Sequence, residues 1–217
     1  MNKVRWEEVL TVAARLFREK GYMATTMDDI AAELYITKPA LYYYIKTKHD
    51  LLYEICESAI NRLMERVSEI KDSGRSPGQR LHDLITWHVN MFSTHGDIIN
   101  VYLADEGELP HEKREYIRGR SREYEAIYRE IVEQLIDEGT LREVDVPMVV
   151  RAISGMCNWL SNWYRPDGSM TADEIADVFL DLMMNGLKKK PAAAKTSIAA
   201  KASGKPKTAK AAAARKR

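Results

Sequence analysis

The sequence is poor in the features that mark several large classes of protein. It has only two cysteines, Cys56 and Cys157, and both lie in apolar stretches with helical spacing, so neither a disulfide framework nor a metal site is favoured. The five histidines show no metal-ligand spacing. There is no apolar run of about 18 residues that could span a membrane, and the N-terminus lacks a secretory pattern. We therefore expect a cytoplasmic protein with no cofactor.

Motifs for catalysis are also missing. The chain has no G-x-S-x-G nucleophile motif and no phosphate-binding loop. No pair of carboxylates stands in a recognisable catalytic setting. These absences argue against an enzyme.

The net charge of +1 hides a strong asymmetry along the chain. Residues 188–217 hold nine lysines, two arginines and no acidic residue, whereas the first 187 residues hold 22 basic and 32 acidic residues. The basic segment has almost no large apolar residue and cannot bury enough surface to fold alone. We expect a disordered tail that adds non-specific DNA affinity by releasing counterions. A tail that is simply solvated, or that contacts the acidic body, is the alternative.

The most informative stretch covers residues 25–52 and predicts two short helices, a tight turn between them and the start of a longer helix. Thr26 is a candidate cap for the first helix, with Asp29 in its first turn. Thr37 is a candidate cap for the second helix, where Pro39 lies near the start, and Thr47 is predicted to open the third. This order is typical of a helix-turn-helix whose second helix enters the major groove of DNA.

The second helix of this stretch presents polar and aromatic residues on the face opposite its apolar side chains. We predict that Lys38 and Lys48 bind phosphates, which supply most of the affinity for DNA. The Tyr42 hydroxyl can bond a phosphate oxygen, and the small Ala40 allows a close approach to the bases. Ordinary core packing is the alternative for the tyrosines, above all for Tyr44. The predicted DNA-binding residues are Thr26, Thr37, Lys38, Pro39, Ala40, Tyr42, Tyr43, Tyr44 and Lys48.

Several fixed spacings in this region form one pattern: Gly21-Tyr22, Thr25-Thr26, Lys38, Leu41-Tyr42, Tyr44-Ile45 and Lys48. With them, residues 4–52 resemble the DNA-binding domain of the TetR family of bacterial repressors. One departure is Tyr35, which stands where that family usually has glycine in the turn. If Tyr35 adopts a positive φ, the strain costs about 1 kcal/mol. Otherwise the turn differs and the second helix is tilted.

The remaining body shows helical periodicity, and no β-type alternation lasts more than a few residues. We predict an all-α fold of about nine helices. The predicted domains are a TetR-type helix-turn-helix domain at 1–48, a ligand-binding and dimerisation domain at 49–187 and the disordered Lys/Ala-rich tail at 188–217. The helices after the first domain are predicted at 47–71, from Pro77 to near His95, from there to about Gly107, and at 111–138, 147–163 and from Thr171 onward.

A second, narrower resemblance covers residues 124–187. Its residues are Asn158-Trp159, Trp163-Tyr164, Pro166, Gly168 and Asn185-Gly186-Leu187. This segment is similar to the effector domain of TetR-family regulators of fatty-acid, steroid and aromatic-acid breakdown, several of which respond to acyl-CoA thioesters. The resemblance implies an acyl-CoA or a related carboxylate as the effector.

Candidate ligand residues are large apolar side chains on helices predicted to surround a cavity, together with two arginines one helical turn apart that suit CoA phosphates. Plain core packing is the alternative for the apolar residues. A solvated face paired with Glu115, Glu123 and Glu125 is the alternative for the arginines. The predicted set is Trp87, Met91, Tyr102, Arg118, Arg122, Tyr128, Met156 and Trp159.

The family resemblance also implies that the last two helices of each subunit form a four-helix dimer interface. A dimer suits DNA reading because two heads then meet the half-sites of an inverted repeat. The predicted interface residues are Met148, Ala152, Gly155, Leu160, Trp163, Val178, Phe179, Leu182 and Met183.

Together these features predict a dimeric repressor that binds a palindromic operator and is released by a small-molecule effector, which the resemblance suggests is an acyl-CoA thioester. A regulator of drug efflux with the same fold is one alternative. An architectural, nucleoid-associated protein whose DNA binding is driven by the tail is another.

Overall fold

The computed structural model describes residues 3–187, in which α-helices form the regular structure and no β-strand occurs. The predicted all-α fold is confirmed. The predicted disordered tail at 188–217 lies outside the described residues. Within the described part, no helix is both long enough and apolar enough to cross a membrane. The helices are α1 (Lys3–Lys20), α2 (Met27–Glu33), α3 (Lys38–Tyr44), α4 (Lys48–Met64), α5 (Val67–Lys71), α6 (Pro77–Asp105), α7 (His111–Asp137), α8 (Val146–Asn158), α9 (Leu160–Trp163) and α10 (Ala172–Leu187).

The helix boundaries follow the predictions except at three breaks. The long helix predicted from Thr47 to Lys71 is interrupted between α4 and α5, and the helix predicted to end at Trp163 is interrupted at Trp159. Helix α6 is continuous, but His95 has non-helical backbone angles (φ −139°, ψ 32°) that kink it where a helix end was predicted. If each broken helix is counted once and α6 as two, the described residues contain nine helices, as predicted.

Capping side chains explain where the helices begin. Thr26 and Ser76 each form a reciprocal capping box, with Asp29 and Gln79 respectively. The hydrogen bonds from Thr26 hold the pKa of the Asp29 carboxyl at about 2. Thr37 and Thr47 also accept hydrogen bonds from the first turns of α3 and α4. Each such cap stabilises its helix by about 1 kcal/mol.

Helix α6 lies at the centre of the molecule and packs against α1, α4, α7, α8, α9 and α10. Its buried residues include Leu81, Leu84, Ile85 and Val89, none of which is more than 1% exposed. The N-terminal head, α1–α3, joins this core through α1 and α4. Two side chains strengthen the junction: Arg18 pairs with Asp97 at 2.8 Å, and Arg62 contacts both Glu7 at 2.6 Å and His95 at 2.7 Å.

Candidate DNA-binding surface and effector domain

The turn between α2 and α3 is fixed by backbone hydrogen bonds. The N–H of Tyr35 donates to the carbonyl of Ala32 at 3.1 Å, and the N–H of Ile36 donates to that of Ala31 at 3.0 Å. This pair of bonds is the Schellman arrangement, which needs a left-handed residue just after the helix. Tyr35 supplies it with a φ of 54°. Of the two turn geometries considered from the sequence, the strained one is present.

Helix α3 has one buried and one exposed face. On the buried face Leu41 is 0% exposed, and Ile45, which follows the end of the helix, is 7% exposed. The three tyrosines lie outside, with Tyr42 39%, Tyr43 83% and Tyr44 37% exposed, so none of them is a core aromatic. Thr37, Lys38 and Pro39 are also exposed, and Ala40 is partly buried. The arrangement leaves the N-terminal end of α3 free to meet a partner.

Lys38 lies at the start of α3 in an ion pair. Its ammonium donates to the Asp28 carboxylate at 2.7 Å, and this hydrogen bond raises the pKa of Lys38. Both side chains are at least half exposed, and an ion pair between exposed side chains contributes little because water screens it. A phosphate group could therefore replace Asp28 as the partner of Lys38.

The predicted phosphate contact of Lys48 needs correction. Its ammonium donates to three backbone carbonyls, those of Tyr22 at 2.9 Å, Thr25 at 3.0 Å and Met23 at 3.2 Å. It also lies 4.5 Å from the centre of the Tyr22 ring. An ammonium has three N–H donors, and all three have partners within the head. Lys48 ties the α1–α2 connection to α4.

The apolar candidates for ligand binding lie in separate places. Met91 and Tyr128 are buried at 3% and 1% exposure, whereas Trp159 is 63% exposed and cannot line an internal cavity. The indole N–H of Trp87 donates to the carbonyl of Leu63 at 3.0 Å. Tyr102 shares a hydrogen bond with Ser121 at 2.7 Å. The structure therefore does not gather these residues around one open site.

The two arginines predicted to grip CoA phosphates lie on the exposed side of α7. Arg118 contacts Glu106 at 2.8 Å and Glu115 at 3.5 Å. For Arg118 the structure matches the alternative of a solvated face paired with acidic neighbours. Arg122 is exposed, and its contact with a CoA phosphate stays a prediction.

A buried polar cluster in the same domain was missed from the sequence. His88 is 4% exposed and its Nε2 lies 3.1 Å from the side-chain oxygen of Asn158. The hydroxyl of Tyr124 meets that of Tyr128 at 3.2 Å, and Tyr128 donates to the carbonyl of Leu84. Burial lowers the pKa of His88 to about 4, so the ring is neutral and Nε2–H is the donor to Asn158. His88 and Asn158 belong to α6 and α8, and no local pattern pairs them.

An apolar face runs along α8 and α10 and continues onto α9. Met148, Trp163, Val178 and Leu182 are between 45% and 62% exposed on it. Between α8 and α10 lies a hollow of about 260 Å³, lined by Val149, Ala152, Met156, Leu182, Met183, Gly186 and Leu187.

One of the predicted dimer residues needs correction, and one ligand candidate lies in an unexpected place. Leu160 is 1% exposed, so it packs inside its own chain, whereas Met183 lines the hollow on the apolar face. Met156, predicted as a ligand residue, lines the hollow between α8 and α10 instead.

Two family matches cover most of the described chain. Residues 9–55 match the family described as bacterial regulatory proteins, tetR family, and residues 74–187 match the tetracyclin repressor-like C-terminal domain. The chain belongs to the TetR family. TetR-family proteins are DNA-binding transcriptional regulators, which confirms the expectation of a regulator rather than an enzyme.

This TetR-family chain aligns with its relatives over nearly their whole length. The HTH-type transcriptional repressor KstR2 of Mycobacterium tuberculosis is 30% identical over 185 residues, which cover 84% of this chain and 92% of KstR2. Its solved structure has a TM-score of 0.81 at 29% identity, covering 88% of this chain and 97% of that one. AibR, solved with isovaleryl coenzyme A and operator DNA, has a TM-score of 0.75 at 29% identity over 82% of this chain and 97% of AibR. PfmR from Thermus thermophilus has a TM-score of 0.77 at 33% identity over 83% of this chain and 99% of PfmR.

In this TetR-family chain, the head and the effector domain are joined at the first turn of α4. Lys113 of α7 donates to the Asp50 carboxylate at 2.5 Å, and the same carboxylate accepts from the Thr47 cap at 2.8 Å. The pKa of Asp50 is lowered, chiefly by Lys113. The Lys113 ammonium also lies 4.8 Å from the centre of the Tyr53 ring. A displacement of α7 would therefore act directly on the helix that follows α3.

Proposed function

We propose that the protein is a dimeric repressor that binds an inverted-repeat operator and is released by an acyl-CoA thioester. The observation that carries the proposal is the exposed N-terminal end of α3, with Thr37, Lys38 and Pro39 open to a partner, in a chain of the TetR family. On this proposal it acts in the cytoplasm, at the nucleoid. The proposed domains are those expected from the sequence: 1–48 reads DNA, and 49–187 binds ligand and dimerises.

The apolar face on α8 and α10 supports the dimer. Leu182 at 62% and Met148 at 58% exposure would lose apolar surface from water if a second copy covered them, at about 25 cal/mol per Å². A twofold arrangement of these helices would carry two heads. The two heads would meet successive major grooves about 34–36 Å apart.

The AibR structure, solved with isovaleryl coenzyme A and operator DNA, supports an acyl-CoA effector. An effector bound beside α7 would favour one position of that helix and, through Lys113 and Asp50, one position of α4. Release of DNA then requires that the effector bind more tightly to the state in which the heads no longer match the operator. Release by the effector needs only binding, and no catalytic residue takes part in the proposal.

The decisive experiment is selection of bound duplexes from a random pool, repeated in the presence of a series of acyl-CoA thioesters. We expect an enriched palindrome that one thioester releases. An enriched palindrome that no thioester releases would contradict the effector but keep the repressor. Enrichment of no sequence would favour binding driven by non-specific contacts.

The dimer is tested separately by Leu182→Glu, measured by analytical ultracentrifugation. A charge at this position should shift the protein towards monomer, because an unpaired carboxylate would be buried at the interface. Met23→Glu is the matched control, because Met23 is 76% exposed but lies in the head. If Leu182→Glu sediments as wild type does, the proposed interface is wrong.

A further inference from the structure

Tyr35 has a backbone angle and an exposed side chain that no contact within the described head accounts for. It has the left-handed φ of 54°, and among the described residues it is the one non-glycine with a positive φ. Its side chain is 96% exposed, so almost none of the ring touches the rest of the protein. A glycine here would close the same turn without strain.

Strain of this kind persists in proteins mainly where it serves a function. For Tyr35 no packing within the described chain offsets the left-handed backbone, because the side chain lies almost wholly in solvent. The exposed ring is a second unfavourable feature, since it leaves a large apolar surface in water. Both features would be compensated by a partner that covers the ring.

The position of Tyr35 identifies which partner this is. Two residues later, Thr37 caps α3, and at most about 11 Å of extended chain separates Tyr35 from Lys38. Thr37, Lys38 and Pro39 form the exposed N-terminal end of α3. The ring therefore stands beside the end of the helix that the proposed function assigns to the major groove.

The charges nearby explain why a tyrosine would be useful there. Lys38 already pairs with Asp28 at 2.7 Å, and the Lys48 ammonium is held by three carbonyls inside the head. Lys48 is thus engaged within the head, and Lys38 is left as the one lysine of the predicted pair that can exchange its exposed partner for a phosphate. A tyrosine hydroxyl is an alternative donor to a phosphate oxygen, and its ring can cover the adjacent sugar.

We propose that Tyr35 contacts the DNA backbone beside the recognition helix, with its hydroxyl donating to a phosphate oxygen. The inference rests on the proposed function, because it takes α3 as the reading helix. It adds a contact that the glycine usual at this position could not make. Since the hydroxyl is neutral, the contact contributes affinity without changing the number of cations that neutralise DNA.

The test uses the full chain and the duplex that wild type itself enriches from a random pool. Tyr35→Gly should raise the midpoint of urea unfolding, because the strain is relieved, and yet weaken binding to that duplex about tenfold. Tyr35→Phe should weaken binding about threefold, as expected for one lost hydrogen bond. The slope of log affinity against log salt should stay that of wild type in both variants, whereas loss of a lysine contact would lower it by about one. Tyr116→Phe is the control, because Tyr116 is an exposed tyrosine on α7 and its change should leave affinity unaltered.

The outcomes separate this inference from the proposed function. If wild type enriches a duplex and Tyr35→Gly binds it as tightly as wild type, the contact is refuted and the repressor stands. If Tyr35→Phe binds as wild type does, the hydrogen bond to phosphate is refuted. A lower unfolding midpoint for Tyr35→Gly would overturn the argument from strain. If wild type enriches no duplex, the proposed function fails, and the contact fails with it.

Discussion

Lys48→Met is the substitution that best tests how the head is held together. The change removes an ammonium that donates to the carbonyls of Tyr22, Met23 and Thr25. Tyr22 is 3% exposed and Thr25 is fully buried, so water cannot readily replace the lost donor at either carbonyl. Each buried carbonyl left without a partner costs about 1–3 kcal/mol, and the cation–π contact with the Tyr22 ring is also lost. We expect the free energy of unfolding to fall by about 2–4 kcal/mol.

Urea unfolding gives that free energy, and hydrogen exchange of the amides at 27–44 shows whether the head opens first. Lys46→Met is the matched control, because Lys46 is an exposed lysine two positions earlier and should change stability by less than about 0.5 kcal/mol. Lys48→Arg should also be destabilised, because a planar guanidinium does not fit a site built for an ammonium.

The opposite pattern would refute this reasoning. If Lys48→Met unfolds like wild type while the slope of log DNA affinity against log salt falls by about one, Lys48 is a phosphate contact. The prediction made from the sequence would then be restored.

Three further predictions concern the effector domain and the reading helix. His88 is held neutral by burial, with a pKa of about 4 against about 6.5 when unfolded. The unfolded chain therefore binds more protons between these values, and stability should fall by up to about 3 kcal/mol as the pH drops through this window. In His88→Gln, the free energy of unfolding in urea should fall less between pH 7 and pH 5 than it does in wild type. An equal fall in the two proteins would exclude His88 as the source of the pH dependence. Tyr42→Phe should weaken operator binding about threefold; unchanged affinity would exclude a phosphate role for that hydroxyl. Lys113→Met should leave operator affinity near wild type but reduce release by the effector, because α7 no longer holds Asp50 of α4. Lys71→Met, which breaks only the exposed pair with Glu130, is its control, and equal behaviour of the two variants would contradict the proposed link.

Local features of the fold could be predicted because they depend on neighbours in the chain. The capping box of Thr26 with Asp29 and the cap of Thr37 are both present. Each needs only an oxygen and an N–H two or three residues apart, so the spacing in the sequence is enough. The sequence left two geometries open for the turn at Tyr35, and only the backbone hydrogen bonds after α2 decide for the positive φ.

The roles of several side chains could not be predicted because they depend on contacts between distant segments. Leu160 has the helical spacing of an interface residue, yet it is 1% exposed because it packs within its own chain. Periodicity gives the apolar face of a helix but does not tell which partner covers it. Trp159, an expected ligand residue, is 63% exposed because no other helix of the described chain covers it.

By itself, the sequence determined the helical class, the positions of the caps and the family, since all three are carried by residue spacing along the chain. Only the tertiary structure decided how the charged and polar groups are used. In the tertiary structure Lys48 donates to three carbonyls that lie 23 to 26 residues away, and His88 is hydrogen-bonded to Asn158 across 70 residues. The N–H of an ammonium or an imidazole can donate to the oxygen of a phosphate, a carbonyl or a side-chain amide. Which of these it meets depends on the packing of the helices.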